Sequence, residues 1–256
     1  MSAESAFFSG KGISLAFGGL CALSEVDFAV KKGDLHAIIG PNGAGKTSLF
    51  NVITGFYKPQ TGSIAIEGKD ISGRATHEVA KAGIVRTFQH LEVFQNMSIM
   101  DNVLTGCHLH GGYSLFDSLV RTPRYFGREK ALREEAQRWL EFVGLADKIE
   151  SSASALPYGS LRLVEIARAL AAGPKVLLLD EPAAGLNMKE TSALGSLVRK
   201  IVDGGITVVM VEHDMELVMN VSDMILVLNF GEVIAEGTPA EVQKNPQVIA
   251  AYLGED

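Results

Sequence analysis

The sequence predicts an α/β fold with a mixed, largely parallel sheet, an antiparallel β region at the N-terminal end and a helical subdomain inserted in mid-chain. Short apolar runs alternate with helical patterns through residues 1–96 and 155–256, as they do in α/β domains. Between residues 97 and 154 the strand-like runs give way to helical patterns. The 256 residues suit one domain, residues 1–256, with residues 97–154 as its insert.

The part before the insert alternates between strands and one helix. Residues 13–17, 26–30 and 35–39 have the apolar content of strands, and residues 47–54 follow a glycine-rich loop with the pattern of a helix. Residues 64–66 form a further predicted strand, because turn residues lie on both sides of them. These elements supply the antiparallel region and the first strand–loop–helix unit.

The clearest helix of the insert spans residues 129–143, with charged residues on one face and apolar residues on the other. An irregular stretch, residues 111–127, lies between the helical patterns of the insert. The apolar face of the clearest helix consists of Leu132, Ala136, Trp139, Leu140 and Val143.

Helices and strands alternate again after the insert. Residues 176–179 and 207–211 are apolar on both faces, which is typical of buried parallel strands. Helices are predicted around these strands, and a hairpin follows them. The helices are expected at residues 161–172, 191–202 and 216–220, and the hairpin strands at residues 224–228 and 232–236.

The composition limits the class of protein. A net charge of −7 argues against a nucleic-acid binder. The two cysteines, Cys21 and Cys107, have no CxxC spacing, so neither a zinc site nor a disulfide framework is indicated and a reducing, cytoplasmic compartment is expected. The N-terminal residues lack the pattern of a signal peptide, and no apolar run approaches the ~18 residues that span a bilayer. A function at a membrane would therefore need recruitment by another subunit.

The strongest local signal is the run of residues 40–47, which reads GPNGAGKT and fits G-x-x-x-x-G-K-[ST] in full. A strand precedes it and a helix follows it, which favours a phosphate-binding loop over a chance glycine-rich turn. Backbone N–H groups of such a loop surround phosphates, the lysine neutralises them and the hydroxyl residue ligates Mg²⁺. ATP with Mg²⁺ is the predicted ligand, and the predicted contacts are Asn42, Gly43, Ala44, Gly45, Lys46, Thr47 and Ser48.

Two carboxylates, Asp180 and Glu181, follow the apolar run 176–179 directly. Ligands bind at the carboxyl ends of parallel strands, so Asp180 is placed to hold Mg²⁺ and Glu181 to polarise the attacking water. Apolar strands often end in an acidic residue for no functional reason. The phosphate-binding loop earlier in the chain favours the functional interpretation.

These motifs occur in the order in which the ABC ATPase family has them, and the chain resembles that family over nearly its whole length. Residues 156–160, LPYGS, stand where the family has its signature sequence, and residues 183–187 resemble its D-loop. Gln89 resembles the Q-loop glutamine, His213 the switch histidine and Phe17 the aromatic residue that stacks on adenine. Taken alone, a histidine after a strand is more often structural and an aromatic on a strand is more often core. The spacing of the whole set favours the functional roles.

The resemblance implies a role for each of these residues. Glu181, His213 and Gln89 would form the catalytic group, and Thr47, Gln89 and Asp180 would ligate Mg²⁺. Further nucleotide contacts implied by the resemblance are Phe17, Tyr158, Gly159, Ser160 and Asn187.

The signature and the D-loop depart from the family pattern. Pro157 stands in place of the signature serine and cannot donate a hydrogen bond, and Tyr158 stands in place of a glycine. Asn187 stands in place of the D-loop aspartate. The asparagine side chain can still form hydrogen bonds but carries no charge. The helix after the signature still offers N–H groups and the positive end of its dipole to a phosphate.

The resemblance also implies partners. The signature of one chain would cover the ATP of a second ATP-binding subunit, identical or paralogous, in a head-to-tail dimer. The chain has one phosphate-binding loop and no mid-chain coiled coil, which favours a transporter over the translation and repair members of the family. Integral membrane permease subunits would then recruit it to the inner face of the cell membrane, and a secreted or periplasmic solute-binding protein would act with it indirectly.

The stretch from residue 89 to residue 126 is expected to form the groove in which a permease helix docks. The residues expected to contact the permease helix are Tyr113, Leu115, Phe116 and Phe126. The alternative is that these four side chains pack in a local core of the insert.

Within the family, the chain resembles the ATPase subunits of bacterial branched-chain amino acid importers. The features are the Tyr158-Gly159 signature, residues 181–187 and 212–215, the long insert and the ending, residues 237–255. Three alternatives stay open: a urea or short-amide importer, a lipopolysaccharide exporter, whose usual Ser-Gly-Gly signature is absent here, and a soluble ATPase without a transport function.

Overall fold

The computed structural model describes residues 6–89, 91–107 and 123–253. The chain forms two compact units, of which unit 1 consists of Met1–Arg86 with Lys175–Asp256 and unit 2 of Thr87–Pro174. Unit 2 contains the predicted insert, residues 97–154, and continues beyond it at both ends. The division into residues 1–96, 97–154 and 155–256 stays a prediction.

An antiparallel sheet occupies the N-terminal part of unit 1, with the strand order β2-β1-β4-β5. Its strands are β1 (Phe8–Phe17), β2 (Leu20–Val30), β4 (Thr61–Ile66) and β5 (Lys69–Asp70). The antiparallel β region predicted from the sequence is therefore confirmed. The first two strands are longer than predicted, because they pair with each other from Phe8 opposite Val30 to Phe17 opposite Leu20, with irregular steps between Gly10 and Ala16.

The second sheet of unit 1 is mixed, with the order β10-β9-β3-β8-β7-β6. Its strands are β3 (Leu35–Ile39), β6 (Ile84–Arg86), β7 (Val176–Asp180), β8 (Thr207–Val211), β9 (Met224–Asn229) and β10 (Glu232–Gly237). β10 pairs antiparallel with β9, as the predicted hairpin requires, and the other pairs are parallel. The carboxyl ends of β3, β7 and β8 therefore lie at one edge of this sheet.

Helices follow most strands of unit 1 and make up the framework of unit 2. In chain order they are α1 (Lys46–Ile53), α2 (Thr76–Lys81), α3 (Ile99–Gly106), α4 (Pro123–Phe142), α5 (Tyr158–Ala171), α6 (Met188–Asp203), α7 (Met215–Val221), α8 (Pro239–Val242) and α9 (Pro246–Leu253). α3, α4 and α5 belong to unit 2 and pack on one another. α5 begins at Tyr158 rather than at the predicted Leu161, because Pro157 is its extended N-cap residue and the Tyr-Gly pair that follows is helical.

Each unit has an apolar core of its own. In unit 1, the inner residues of both sheets pack against Leu49, Phe50 and Ile53 of α1. In unit 2, Leu132, Ala136 and Leu140 of α4 are buried, as the apolar face of that helix predicted. Each fully buried leucine or phenylalanine contributes about 2 kcal/mol of hydrophobic free energy. Among the described residues, no helix combines the length and the apolar content that a membrane crossing requires.

The candidate docking residues are only partly described. Tyr113, Leu115 and Phe116 lie outside the described residues. Phe126 lies on α4 with more than half of its surface exposed. Whether these residues contact a permease stays a prediction.

His36 is a buried titratable group in the strand that precedes the phosphate-binding loop. It is 4% exposed, and its Nε2 lies 3.9 Å from Oδ2 of Asp34. Burial lowers the pKa of His36 from 6.5 to about 4, and the nearby Asp223 only partly opposes this effect. The imidazole is therefore neutral in the folded protein at neutral pH.

We expect this histidine to make the fold less stable in mild acid. Between pH 6.5 and about pH 4 the unfolded chain binds a proton at His36 that the folded chain does not bind, so the free energy of unfolding falls as the pH falls through this window. From about pH 7.5 to about pH 5 the loss is about 2 kcal/mol. Urea unfolding at both pH values measures it. The variant His36→Leu should lose this share of the pH dependence, and an unchanged dependence in the variant would contradict the prediction.

Candidate nucleotide site

The phosphate-binding loop connects the end of β3 to the start of α1, and the backbone leaves no room for a side chain at two of its glycines. Gly40 has a φ of +150°, and a Cβ there would lie 2.0 Å from the carbonyl oxygen of Leu228. Gly45 has a φ of +102°, and its Cβ would lie 2.6 Å from the carbonyl oxygen of Ala22. Because the loop is packed this closely on its inner side, its backbone is fixed while residues 42 and 43 are exposed.

The start of α1 has the features of an anion site. Gly45 provides no side-chain cap, and the first turn contains no acidic residue, so the positive end of the helix dipole is not compensated. Lys46 is 5% exposed, and its ammonium group donates to the carbonyl oxygens of Gly40 at 2.6 Å and Pro41 at 2.8 Å. Thr47 and Ser48 add hydroxyl groups in the first turn, and Thr47 is exposed. This arrangement fits a phosphate group bound by the loop.

Asp180 lies at the end of β7, almost fully buried, and an arginine of the neighbouring strand holds it. Arg86 donates from Nη2 to Oδ2 of Asp180 at 2.6 Å and from Nη1 to Oδ1 of Asn51 at 2.7 Å. Its guanidinium carbon lies 5.4 Å from the ring centroid of Phe50. Asn51 and Phe50 belong to α1, so Arg86 links the helix that follows the phosphate-binding loop to the carboxylate predicted to bind Mg²⁺.

Glu181 and His213 are in contact. His213 Nε2 lies 2.8 Å from Oε1 of Glu181, and each residue follows the end of a strand, β7 or β8. The N–H group of Glu181 donates to the carbonyl oxygen of Val211 at 2.9 Å. Glu181 has a φ of +47°, a left-handed conformation that is rare for a residue other than glycine and that concentrates at functional sites.

Glu212 is a buried carboxylate that the sequence did not single out. It is 3% exposed and accepts the N–H groups of Ala183 at 2.7 Å, His213 at 3.0 Å and Asp214 at 3.4 Å. Burial raises the pKa of Glu212, and these hydrogen bonds oppose the rise. One side chain thus holds the segment after β7 and the segment after β8 in a fixed relation.

Arg86 and Glu212 are the residues of this site that sequence reasoning missed. Each is a charged residue next to an apolar strand run, and that is the signal that could have marked them. The signal is weak, because charged residues commonly border strands at exposed positions. Only the tertiary contacts of Arg86 and Glu212 distinguish them from charged residues that border strands at exposed positions.

Phe17 lies at the end of β1 in a small aromatic cluster. Its ring centroid is 5.0 Å from that of Tyr57 in an edge-on arrangement, and the Tyr57 centroid is 5.0 Å from that of Phe56. Phe17 is 44% exposed, so part of its ring is open to a ligand and it is not a core residue. Stacking on adenine stays a prediction.

Asn187 caps α6. Its Oδ1 accepts the N–H groups of Lys189 and Glu190, each at 3.1 Å, and Oε2 of Glu190 accepts the N–H group of Asn187 at 3.0 Å. This reciprocal pair is a capping box. The Asn187 side chain therefore has a local structural role, and its predicted contact with nucleotide stays a prediction.

The remaining predicted residues belong to unit 2. Tyr158, Gly159 and Ser160 form the first turn of α5, which has neither a side-chain cap nor an acidic residue. Gln89 follows Thr87 and Phe88 at the start of the unit. The structure thus collects the phosphate-binding loop, Asp180, Glu181 and His213 at one edge of a sheet in unit 1, and Gln89 and the signature in unit 2.

The oxygen donors that are present suit Mg²⁺. Within the described part of the chain, no group of three or more histidine, cysteine, aspartate or glutamate side chains could hold a metal ion. Mg²⁺ needs no such cluster, because it is commonly bound through one or two carboxylates, water and the phosphates of its nucleotide. The Thr47 hydroxyl and the Asp180 carboxylate are donors of this kind.

Comparison with known proteins identifies the family. The profile described as ABC transporter matches residues 23–184, and the profile described as branched-chain amino acid ATP-binding cassette transporter matches residues 232–256. The high-affinity branched-chain amino acid transport ATP-binding protein BraF of Pseudomonas aeruginosa is 44% identical over 245 residues, which are 95% of this chain and 96% of BraF. LivG of Escherichia coli, described in the same words, is 42% identical over the same shares.

Solved structures agree with the sequence relatives. A nucleotide-free ATP-binding cassette from an ABC transporter has a TM-score of 0.85 and 36% identity, covering 97% of this chain and 99% of that chain. A dimeric ATP-binding cassette in a post-hydrolysis state, bound to ADP and Pi, has a TM-score of 0.75 and 25% identity, covering 91% and 98%. With the phosphate-binding loop, the paired carboxylates and His213 at one sheet edge, the chain belongs to the ABC transporter family, as an ATP-binding and ATP-hydrolysing subunit similar to those of branched-chain amino acid transporters.

Proposed function

We propose that this chain hydrolyses MgATP to drive a branched-chain amino acid importer whose membrane-spanning parts are separate subunits. The observation that carries this proposal is the similarity to BraF, at 44% identity along 95% of the chain. The match of residues 232–256 to a branched-chain amino acid transporter profile supports the same solute class over urea, amides or lipopolysaccharide.

The described geometry supports a division of labour within unit 1. The loop N–H groups and Lys46 bind and neutralise the β- and γ-phosphates. Glu181 takes up a proton from the attacking water, and His213, 2.8 Å from its Oε1, orients that carboxylate. Mg²⁺, when bound, would neutralise charge on the phosphate oxygens, and Thr47 and Asp180 are the residues of unit 1 that would hold it. Gln89, in unit 2, stays a predicted third ligand. Arg86 keeps Asp180 in place for this purpose.

We further propose that the chain pairs with a second ATP-binding subunit, identical or paralogous. The first turn of α5, with Tyr158, Gly159 and Ser160, has no side-chain cap and would cover the nucleotide of that subunit with its N–H groups. A solved relative described as dimeric supports this arrangement. Permease subunits would hold the pair at the inner face of the cell membrane, and a solute-binding protein would act from the other side.

The proposal is tested on the assembled transporter. The chain is purified with its membrane subunits and placed in vesicles with the solute-binding protein, and ATP-driven uptake of leucine, isoleucine and valine is compared with uptake of urea. Uptake of the branched-chain amino acids alone supports the proposal. Uptake of urea alone would show that the proposed solute is wrong, and association with an exporter would show that the proposed direction of transport is wrong. Either result would leave the proposed ATPase function unaffected.

The variant Lys46→Ala should abolish both ATP hydrolysis and uptake. Removing the ammonium group leaves the phosphates without their main positive charge, so phosphate release should fall about a hundredfold or more. The matched control is Lys81→Ala, because Lys81 is an exposed lysine at the end of α2. Undiminished phosphate release from Lys46→Ala would show that this loop does not bind the hydrolysed nucleotide.

The variant Glu181→Gln should trap the ATP-bound dimer. Glutamine has nearly the same size and cannot take up the proton, so hydrolysis stops while ATP still joins the subunits. Size-exclusion chromatography with light scattering, in ATP and Mg²⁺, should show a stable dimer with the second subunit. Glu232→Gln, at an exposed position of β10, is the control. A strictly monomeric Glu181→Gln variant with the second subunit present would contradict the pairing.

The variant Glu212→Gln should lower kcat about tenfold and leave the KM for ATP within about twofold. Glutamine has one acceptor oxygen where the carboxylate has two, so either Ala183 or His213 loses its acceptor and the fixed relation between their segments is lost. Steady-state kinetics of the assembled transporter measure both constants. Glu216→Gln, an exposed glutamate in the first turn of α7, is the control. Equal losses in the two variants would rule out a specific role of Glu212.

A further inference from the structure

Unit 2 contains a fully buried arginine that the nucleotide chemistry described above does not use. Arg162 lies on α5 with no exposed surface, and its Nη1 donates to Oε2 of Glu165 at 2.8 Å. The side chains of both residues are only 1% exposed. This is a buried ion pair three residues apart on one helix.

The same guanidinium group reaches two other segments of unit 2. It donates to the carbonyl oxygen of Phe88 at 3.1 Å, to that of Gln89 at 3.2 Å and to the hydroxyl oxygen of Tyr158 at 3.1 Å. Glu165 completes the arrangement, because its Oε1 accepts the N–H group of Phe88 at 3.3 Å. One buried cation therefore joins the Gln89 segment to the first turn of α5.

Stability alone does not account for this arrangement. Burying two charges costs desolvation free energy that their attraction often fails to recover, and apolar residues of similar size commonly fill such places as well or better. The Nε atom of Arg162 has no hydrogen-bond partner among the described residues, which adds to the cost. The four acceptors do give the Gln89 backbone a single, defined position relative to Tyr158.

The geometry points to Arg162 as a positioning residue that holds Gln89 and the first turn of α5 together as one rigid element. This rests on the proposed function, in which Gln89 acts at one nucleotide and Tyr158 faces another. The substitution of tyrosine for the signature glycine then has a reason, since the Tyr158 hydroxyl is one of the groups that Arg162 binds. Arg162 acts on hydrolysis through Gln89 and does not itself contact nucleotide.

The first test removes the ion pair without leaving a lone buried charge. In the double variant Arg162→Met, Glu165→Met, two apolar side chains of similar length replace the pair. We expect kcat of the assembled transporter to fall about tenfold while the KM for ATP stays within about twofold. The control is Arg168→Met on the same helix, where the guanidinium lies 5.7 Å from the Phe94 ring. It should keep kcat within about twofold.

The second test separates positioning from a general structural effect by repeating the comparison in a Gln89→Ala background. If Arg162 acts through Gln89, the double methionine variant should lower kcat by less than about twofold once Gln89 is absent. A tenfold loss in both backgrounds would overturn the inference, and so would an unchanged kcat in the native background. Equal melting temperatures of the variants establish that all of them are folded.

A smaller change serves where the methionine variant does not fold. Tyr158→Phe removes only the hydroxyl oxygen that Arg162 binds and keeps the ring. Its loss of kcat should likewise shrink in the Gln89→Ala background, and an equal loss in both backgrounds would overturn the inference. Failure of the proposed function is distinguishable, because the native chain would then show no Lys46-dependent ATP hydrolysis at all.

Discussion

The register of the parallel sheet is the constraint on which the rest of the site depends. β3 pairs with β8 and β8 with β7, with Leu35 opposite Val208 and Val176 opposite Thr207. A slip by one residue would turn every side chain of a strand to the other face and would move its end by about 3.3 Å. The phosphate-binding loop follows β3, Asp180 ends β7 with Glu181 next to it, and His213 lies two residues after β8. The register therefore sets their separations before any side-chain contact forms.

Buried charges then fix the details that the backbone leaves open. Arg86 holds Asp180, and Glu212 holds the backbone around Ala183 and His213. Buried charges of this kind contribute little net stability, yet removing one partner is strongly destabilising, by about 3–5 kcal/mol for a buried pair. They therefore suit positions where geometry matters more than stability. The Arg162–Glu165 pair of unit 2 has the same character.

Much of the fold was predictable because its signals are local. Residues 176–179 and 207–211 are apolar on both faces, and the glycines of residues 40–47 fit a pattern that the backbone requires. The contacts that organise the site are not local. Arg86 and Asp180 are 94 positions apart, and Arg162 and Phe88 are 74 apart. Periodicity relates residues three or four positions apart, so no pattern along the chain could have paired these side chains.

The helix N-termini differ in whether a side chain accepts the N–H groups of the first turn. α3, α6 and α7 begin with Ser98, Asn187 and Asp214, whose side chains accept N–H groups of the first turn. The N-cap residues of α1 and α5, Gly45 and Pro157, make no such side-chain hydrogen bond, and neither does Ala75 before α2, although a cap contributes about 1 kcal/mol. A capping carboxylate or hydroxyl would occupy the N–H groups that an anion needs. The starts of α1 and α5 therefore leave their first N–H groups without a side-chain acceptor, as the proposed binding of a phosphate at each of them requires.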